Sequence, residues 1–333
     1  MSAPTRRTVL AAGIGAAMLG PAAWVRAAPG LAEFRRVGSA FGTTVSMLVL
    51  HQDAGVAERA LDAAFAEVRS VERAASLFDL ASDISRLNRD GFIARPDARL
   101  VELLRLSREA TALTGGAFDI TVQPYWPAWA DATANGSRPS ANRLATARAA
   151  IDPTAITADA DGIRFGRVGM GITLNGIARG YATDRVIALL RRAGIEHALI
   201  DTDGFGALGH RDGQPWSVAI AHPRHPGAFL GTITPFAGFL STSGDYASSF
   251  SPDFRDNHIF VPATGYSPTE LASATVIAPS GAMADALSTG AMVLGAGATL
   301  RLVARIEGAA CVLVTKDGQV RVSKGAPFAR NPT

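Results

Sequence analysis

The chain has 333 residues, 48% of them hydrophobic and 18% charged, a formal net charge of +3 and one cysteine, Cys311. That makes one large domain or two medium ones, and it excludes a disordered chain, an internal disulfide framework and a cysteine-based zinc cluster. Three of the 32 basic residues, Arg6, Arg7 and Arg26, fall in the first 27 positions, which hold no Asp or Glu; the rest balances at 29 basic against 29 acidic, so no bulk field draws nucleic acid or an anionic membrane.

Residues 1–8 are a short basic start, and 9–25 form an apolar run of about 17 residues, near the lower limit for spanning a bilayer. Gly13, Gly15 and Gly20 weaken any helix there, and Val25-Arg26-Ala27 before Ala28 fits the small-residue rule for signal cleavage. Thr5-Arg6-Arg7-Thr8-Val9-Leu10 matches a twin-arginine export signal. The expectation is a signal at 1–27 and a mature domain at 28–333, placed in the periplasm, or at the inner membrane where the signal is retained. That route carries proteins folded in the cytoplasm, often with a cofactor already bound.

Residues 43–50 (TTVSMLVL) read as a strand. Over 54–75 the apolar residues Val56, Leu61, Ala64, Phe65, Val68 and Val71 recur at helical spacing. Further helices are expected at 99–113, 177–193 and 282–294. Strands are expected at 169–174, 197–200, 216–220, 229–241, 257–261, 273–278, 309–315 and 320–323, and 126–153 reads as a surface excursion. Helices and hairpin-like strands without regular βαβ alternation favour an α+β fold over a doubly wound sheet.

Gly204-Phe205-Gly206-Ala207-Leu208-Gly209 spells GxGxxG, but a turn-forming His-Arg-Asp-Gly follows in place of the helix a dinucleotide fingerprint requires, so it reads as a tight connection. GxSxG, HExxH and Walker A motifs are absent from the sequence. Asp285 and Thr289 stand at i and i+4 in the last strong helix, where a carboxylate and a hydroxyl on one face suit Mg²⁺ shared with phosphate. The helix opening after Asn175-Gly176 offers free N–H groups to a phosphate. His258 is expected inside an edge strand.

Several segments, taken in order, resemble the FAD:protein FMN transferases, the ApbE family. They are Phe41-Gly42-Thr43, Ser76-Leu77-Phe78 with Ser82 to Asn88, Gly116-Ala117-Phe118-Asp119-Ile120-Thr121-Val122 before Pro124, Asn175 to Gly180, Thr242-Ser243-Gly244-Asp245-Tyr246, His258-Ile259, Thr264-Gly265 and Ala284-Asp285 through Thr289. The resemblance implies a single compact α+β domain with mixed or antiparallel sheets and flanking helices, the flavin lying in a cleft between its parts. It implies a Mg²⁺-dependent transferase that moves FMN from FAD onto a Thr or Ser hydroxyl of an exported acceptor protein, releasing AMP. By the same resemblance Gly176, Asp285 and Thr289 hold the metal, and His258 is the base. Phe41, Gly42, Thr43, Phe78, Phe118, Asp119, Arg179, Ser243 and Gly244 contact the flavin substrate. Departures from the family pattern stand at Phe41, Thr173, Asn175, Arg179, Asp203 and Val261; two of them, Thr173 and Val261, replace carboxylates. An FAD pyrophosphatase and a non-catalytic periplasmic FAD-binding protein are the alternatives.

Overall fold

The chain first doubles back on itself: β1 (Ala32–Ala40) and β2 (Thr43–His51) pair antiparallel, with Ala40 opposite Thr43. The two-residue turn between them, Phe41-Gly42, takes left-handed backbone at both positions (φ 53° and 73°), the geometry a tight hairpin needs and glycine adopts without strain. α1 (Ala54–Ala75) follows, capped by the Asp53 side chain, which accepts the Val56 N–H at 3.0 Å. Its Ala57, Leu61, Ala64, Val68 and Val71 are buried along one face, as their spacing requires.

Next come α2 (Asp83–Asp90), β3 (Phe92–Ala94), α3 (Ala98–Leu113), α4 (Tyr125–Ala134), α5 (Ala141–Ala149), β4 (Ile156–Ala158) and β5 (Gly162–Phe165). The second half holds α6 (Ala178–Arg192), β6 (His197–Asp201), β7 (Gly204–Leu208), β8 (His210–Arg211), β9 (Gln214–Ala221), β10 (Phe229–Phe236), β11 (Gly238–Gly244) and β12 (Leu271–Ala278). α7 (Gly281–Val303), β13 (Ala310–Thr315), β14 (Val320–Val322) and β15 (Phe328–Arg330) complete it. This is a computed structural model that describes residues 30–331; the expected export signal lies outside the described residues.

The principal sheet runs β1-β2-β6-β7-β11-β12-β13-β14 and is antiparallel throughout. Alternation along its strands sends Val45, Met47, Val49, Ile200, Val276 and Leu313 into a core shared with α1, α6 and α7. The opposite faces, with Leu48, Leu199, Phe205, Leu240 and Val312, pack on Trp216, Val218, Ile233 and Phe236 of the second sheet, β15-β10-β9-β8. A third sheet, β3-β5-β4, closes a separate core with α2 and α3. The fold is α+β, as the sequence indicated, with antiparallel sheets.

α7 is the one helix among the described residues long and apolar enough to cross a membrane. It is apolar all round because it is a core helix, wedged between the principal sheet and α6. It breaks at Gly295 (φ 77°), where the Glu270 carboxylate accepts the Ala296 N–H at 3.1 Å.

Four expectations are corrected. Residues 169–174 form no strand: the Asn88 amide accepts the Ile172 N–H at 2.8 Å and donates to its carbonyl at 2.9 Å, doing the work of a ladder partner. Residues 257–261 form none either, since Asn257 Oδ1 accepts the Ile259 N–H and Ser267 Oγ accepts the Asn257 N–H, so His258 is not in an edge strand. The GxGxxG segment is mostly the buried strand β7. The excursion at 126–153 is largely α4 and α5, which bury Tyr125, Trp129 and Leu144 against Phe260.

Candidate active site

The site begins where α6 meets the N-terminus of α7. Asp184 of α6 accepts the Gly281 and Ala282 N–H groups at 2.6 and 2.9 Å, and Ser280 caps α7 by accepting the Met283 N–H at 3.2 Å. The helices touch backbone to backbone here: a Cβ on Gly180 would lie 2.0 Å from the Gly281 carbonyl oxygen. That contact brings Asp285, one turn into α7, onto the start of α6. Its Oδ2 accepts the Gly180 N–H at 3.0 Å and its Oδ1 accepts the Ser241 hydroxyl at 3.1 Å.

Asp285 is 3% exposed. Burial pushes its carboxyl up from the ordinary range, and the Arg179 charge is the largest influence the other way. One turn further on, Thr289 Oγ1 lies 3.0 Å from Ser243 Oγ on β11, and Ser243 Oγ lies 2.8 Å from Ser288 Oγ. Gly176 closes this face: a Cβ there would lie 2.8 Å from Thr289 Oγ1 and 3.2 Å from the Phe118 ring. Asp285, Thr289 and Gly176, expected to act together, are thus gathered by α7 and the α6 entry.

Those oxygens suit a hard divalent cation. Among the described residues no group of three or more His, Cys, Asp and Glu converges, and the side-chain oxygens on this face are the Asp285 carboxylate and the Thr289 and Ser243 hydroxyls. Such a set leaves positions for phosphate oxygens and water, the manner in which Mg²⁺ is bound with a nucleotide. The buried, poorly compensated Asp285 carboxyl is also a group whose charged form a cation would favour.

The residue expected to be the base is His258. It is partly buried, and its Nδ1 lies 3.0 Å from the Ser248 carbonyl oxygen. A carbonyl cannot donate, so Nδ1 carries the proton and Nε2 the lone pair. Burial lowers the imidazole below its ordinary value, and the Arg179 charge lowers it further. His258 is therefore neutral at pH 7.

A sequence model of the ApbE family matches residues 41–313. The chain belongs to the ApbE family. A FAD:protein FMN transferase of Klebsiella pneumoniae (strain 342) is 30% identical over 298 residues, which cover 85% of this chain and 84% of that relative. Among solved structures, the Thermotoga maritima ApbE protein superposes with a TM-score of 0.78 at 26% identity, covering 88% of this chain and 97% of its own. The apo flavinyl transferase ApbE of Pseudomonas stutzeri superposes with a TM-score of 0.75 at 30% identity, covering 88% and 95%.

The other expected contacts are more scattered in this ApbE chain. Phe41 and Gly42 make the β1–β2 turn, where the Phe41 N–H donates to Glu72 Oε1 at 2.6 Å, and Thr43 opens β2. Phe78 is 64% exposed in the loop between α1 and α2, free to meet a ligand. Phe118, at 3% exposed, sits behind the wall, its ring against Gly176 and its Cβ side toward Gly290. Asp119 caps a short turn by accepting the Thr121 N–H and hydroxyl at 2.8 and 2.7 Å, and burial raises its carboxyl. Gly244 ends β11 with the Tyr246 ring laid on it, 2.2 Å from where a Cβ would stand.

One cluster was not among the expected site residues. Asp245, fully buried, accepts both arms of Arg224 at 2.7 and 2.8 Å, and Lys316 Nζ lies 3.5 Å away. It joins the β9–β10 turn and the β13–β14 turn to the segment after Ser243. Arg224 lies between His222 and His225, and nothing in that local pattern announces its distant partner.

Proposed function

We propose that this chain is a Mg²⁺-dependent FAD:protein FMN transferase that modifies a Thr or Ser hydroxyl of an exported acceptor. The observation that carries the reading is the convergence of Asp285, Thr289, Gly176 and Ser243 beside Arg179 and the neutral His258 in an ApbE-family chain. The named relatives supply the reaction class. The acceptor hydroxyl oxygen bonds to the phosphorus of the FMN half of FAD. The pyrophosphate P–O bond breaks, AMP leaves with the bridging oxygen, and His258 Nε2 takes the hydroxyl proton. Asp285, Thr289 and Gly176 would hold the magnesium ion, which when bound offsets charge developing on the pyrophosphate. Arg179 adds a fixed positive charge at the α6 start. Arg6-Arg7 before the apolar run supports export by the twin-arginine route, and changing both to Lys is expected to leave the precursor in the cytoplasm.

The test is incubation with FAD, Mg²⁺ and a candidate acceptor, with and without excess EDTA. In-gel flavin fluorescence on the acceptor that EDTA abolishes supports the proposal. Free FMN plus AMP without labelled acceptor indicates a pyrophosphatase, and intact bound FAD without turnover indicates a carrier.

A further inference from the structure

We propose that Asp203 is a positioning residue that holds the Arg179 guanidinium ready for a phosphate of the substrate. The inference rests on the transferase reading only for the identity of that substrate, FAD.

Asp203 stands in the β6–β7 turn with φ 72°, a left-handed backbone that glycine takes freely and aspartate takes at a cost. The turn is held from behind: Asp201 Oδ1 accepts the Asp203 N–H at 3.0 Å. In this pose Asp203 Oδ2 lies 3.5 Å from Arg179 Nη1. The contact is an ion pair at one arm of the fork, leaving most of the guanidinium uncommitted.

Arg179 itself is anchored through its backbone. Its carbonyl accepts the Thr183 hydroxyl at 3.0 Å and the Thr202 hydroxyl at 3.3 Å, and those two hydroxyls lie 2.6 Å apart. Thr202 precedes Asp203, so the α6 start and the β6–β7 turn are one unit. Within it Arg179 Nε is buried and has no hydrogen-bond partner, the one such side-chain atom among the described residues. A buried N–H donor without an acceptor is costly, and an incoming anionic oxygen would satisfy it. Arg179 precedes Gly180, whose N–H donates to Asp285 at 3.0 Å, so it adjoins the candidate metal face, and its charge acts on both Asp285 and His258. On the transferase reading, the anion that meets Arg179 is the pyrophosphate of FAD.

Arg179 and Asp203 are also two of the positions at which the sequence departs from the family pattern, and the structure pairs them. An arginine presents a planar Nε–H fork, which a second anchor can orient.

The experiment compares full-length wild type with Asp203→Gly, Arg179→Lys and the double variant. Equilibrium affinity is read for FAD, for ADP, which carries a pyrophosphate without flavin, and for riboflavin, which carries flavin without phosphate. Thermal melting is read alongside. Asp203→Gly is expected to melt no lower than wild type, because glycine suits the backbone, yet to bind FAD and ADP about tenfold more weakly, with riboflavin affinity unchanged. In the Arg179→Lys background the same substitution is expected to have no effect. Equal or tighter ADP binding by Asp203→Gly overturns the proposal, as does a loss that persists undiminished in the Arg179→Lys background or extends to riboflavin. Wild type that binds FAD and ADP but labels no acceptor removes the transferase reading and leaves the Asp203 comparison intact. Wild type that binds neither removes both.

Discussion

At the scale of single residues, Asp285 and Thr289 do different things although one turn separates them. Asp285 holds the fold in addition to its proposed metal role, because its two oxygens accept the buried Gly180 N–H and the Ser241 hydroxyl. Asp285→Ala orphans both donors and is expected to cost about 2 to 4 kcal/mol of stability. Thr289→Val keeps the shape and leaves Ser243 its contact with Ser288. It is expected to bind FAD within about threefold of wild type and to transfer at least about a hundredfold more slowly, a split that single-turnover kinetics beside a binding isotherm would read. Loss of FAD binding in step with rate would remove Thr289 from the metal face. His258 carries a second expectation. A base must be neutral to act, and this imidazole sits below its ordinary value of 6.5. The rate should therefore be flat from about pH 7 upward and fall only below that ordinary value, and His258→Gln should lose the acid limb together with the rate. An acid limb above pH 7 would contradict the burial argument.

Elements place these residues by close approach. The α6–α7 crossing works because Gly180 and Gly281 lack side chains, so Gly180→Ala must move two backbones and is expected to cost about 3 kcal/mol or more. Gly194, just past the end of α6, has left-handed backbone (φ 79°) but open space around it, and Gly194→Ala should cost only about 1 kcal/mol. Chemical denaturation of the pair would separate packing from backbone strain, and equal losses would refute the crossing as the tight point. A second placement comes from α4 and the segment after it. Tyr125 of α4 donates to the Pro262 carbonyl at 3.0 Å, and Trp129 Nε1 donates to that of Gly265 at 2.7 Å. Beyond α4, Arg138 pairs with the buried Asp256. Together they hold the segment that carries His258. These relations show what was legible. α1, α3 and α6 could be read because their burial follows the helical period, and β12 because it is a short apolar run buried along its length. The stretches at 169–174 and 257–261 look like strands by apolar pattern, but distant or local amides hold them. At the site, Asp285 and Thr289 share a helix face and could be paired from spacing. Arg179 with Asp203, and Arg224 with Asp245, are partners across turns that only the folded sheet brings together.

On the scale of the whole molecule, the helix layer and the principal sheet meet at a rim with several carboxyls. Burial pushes Asp184 up to about 6 and Asp201 up to about 7, and it also raises Asp285. Each such group binds its proton more tightly folded than unfolded. The stability this contributes is fully present below the unfolded value near 3.8 and is lost as pH rises through the folded value. The partly buried histidines His197, His222 and His258 are lowered and act in the opposite sense, losing stability as pH falls below 6.5. The net profile of the wild type alone is therefore not diagnostic, and a difference between two proteins is needed. Asp201→Asn removes one titration and keeps an oxygen for the Asp203 N–H, so the fold and the turn persist. The histidines are common to both proteins and cancel. The stability of wild type relative to Asp201→Asn should fall steadily between pH 4 and pH 7, by at most about 4 kcal/mol, and level off above that. Urea unfolding at half-unit pH steps measures it. A difference that stays flat across the window would mean that Asp201 is solvated in the folded protein and that the β6–β7 turn stands open to water.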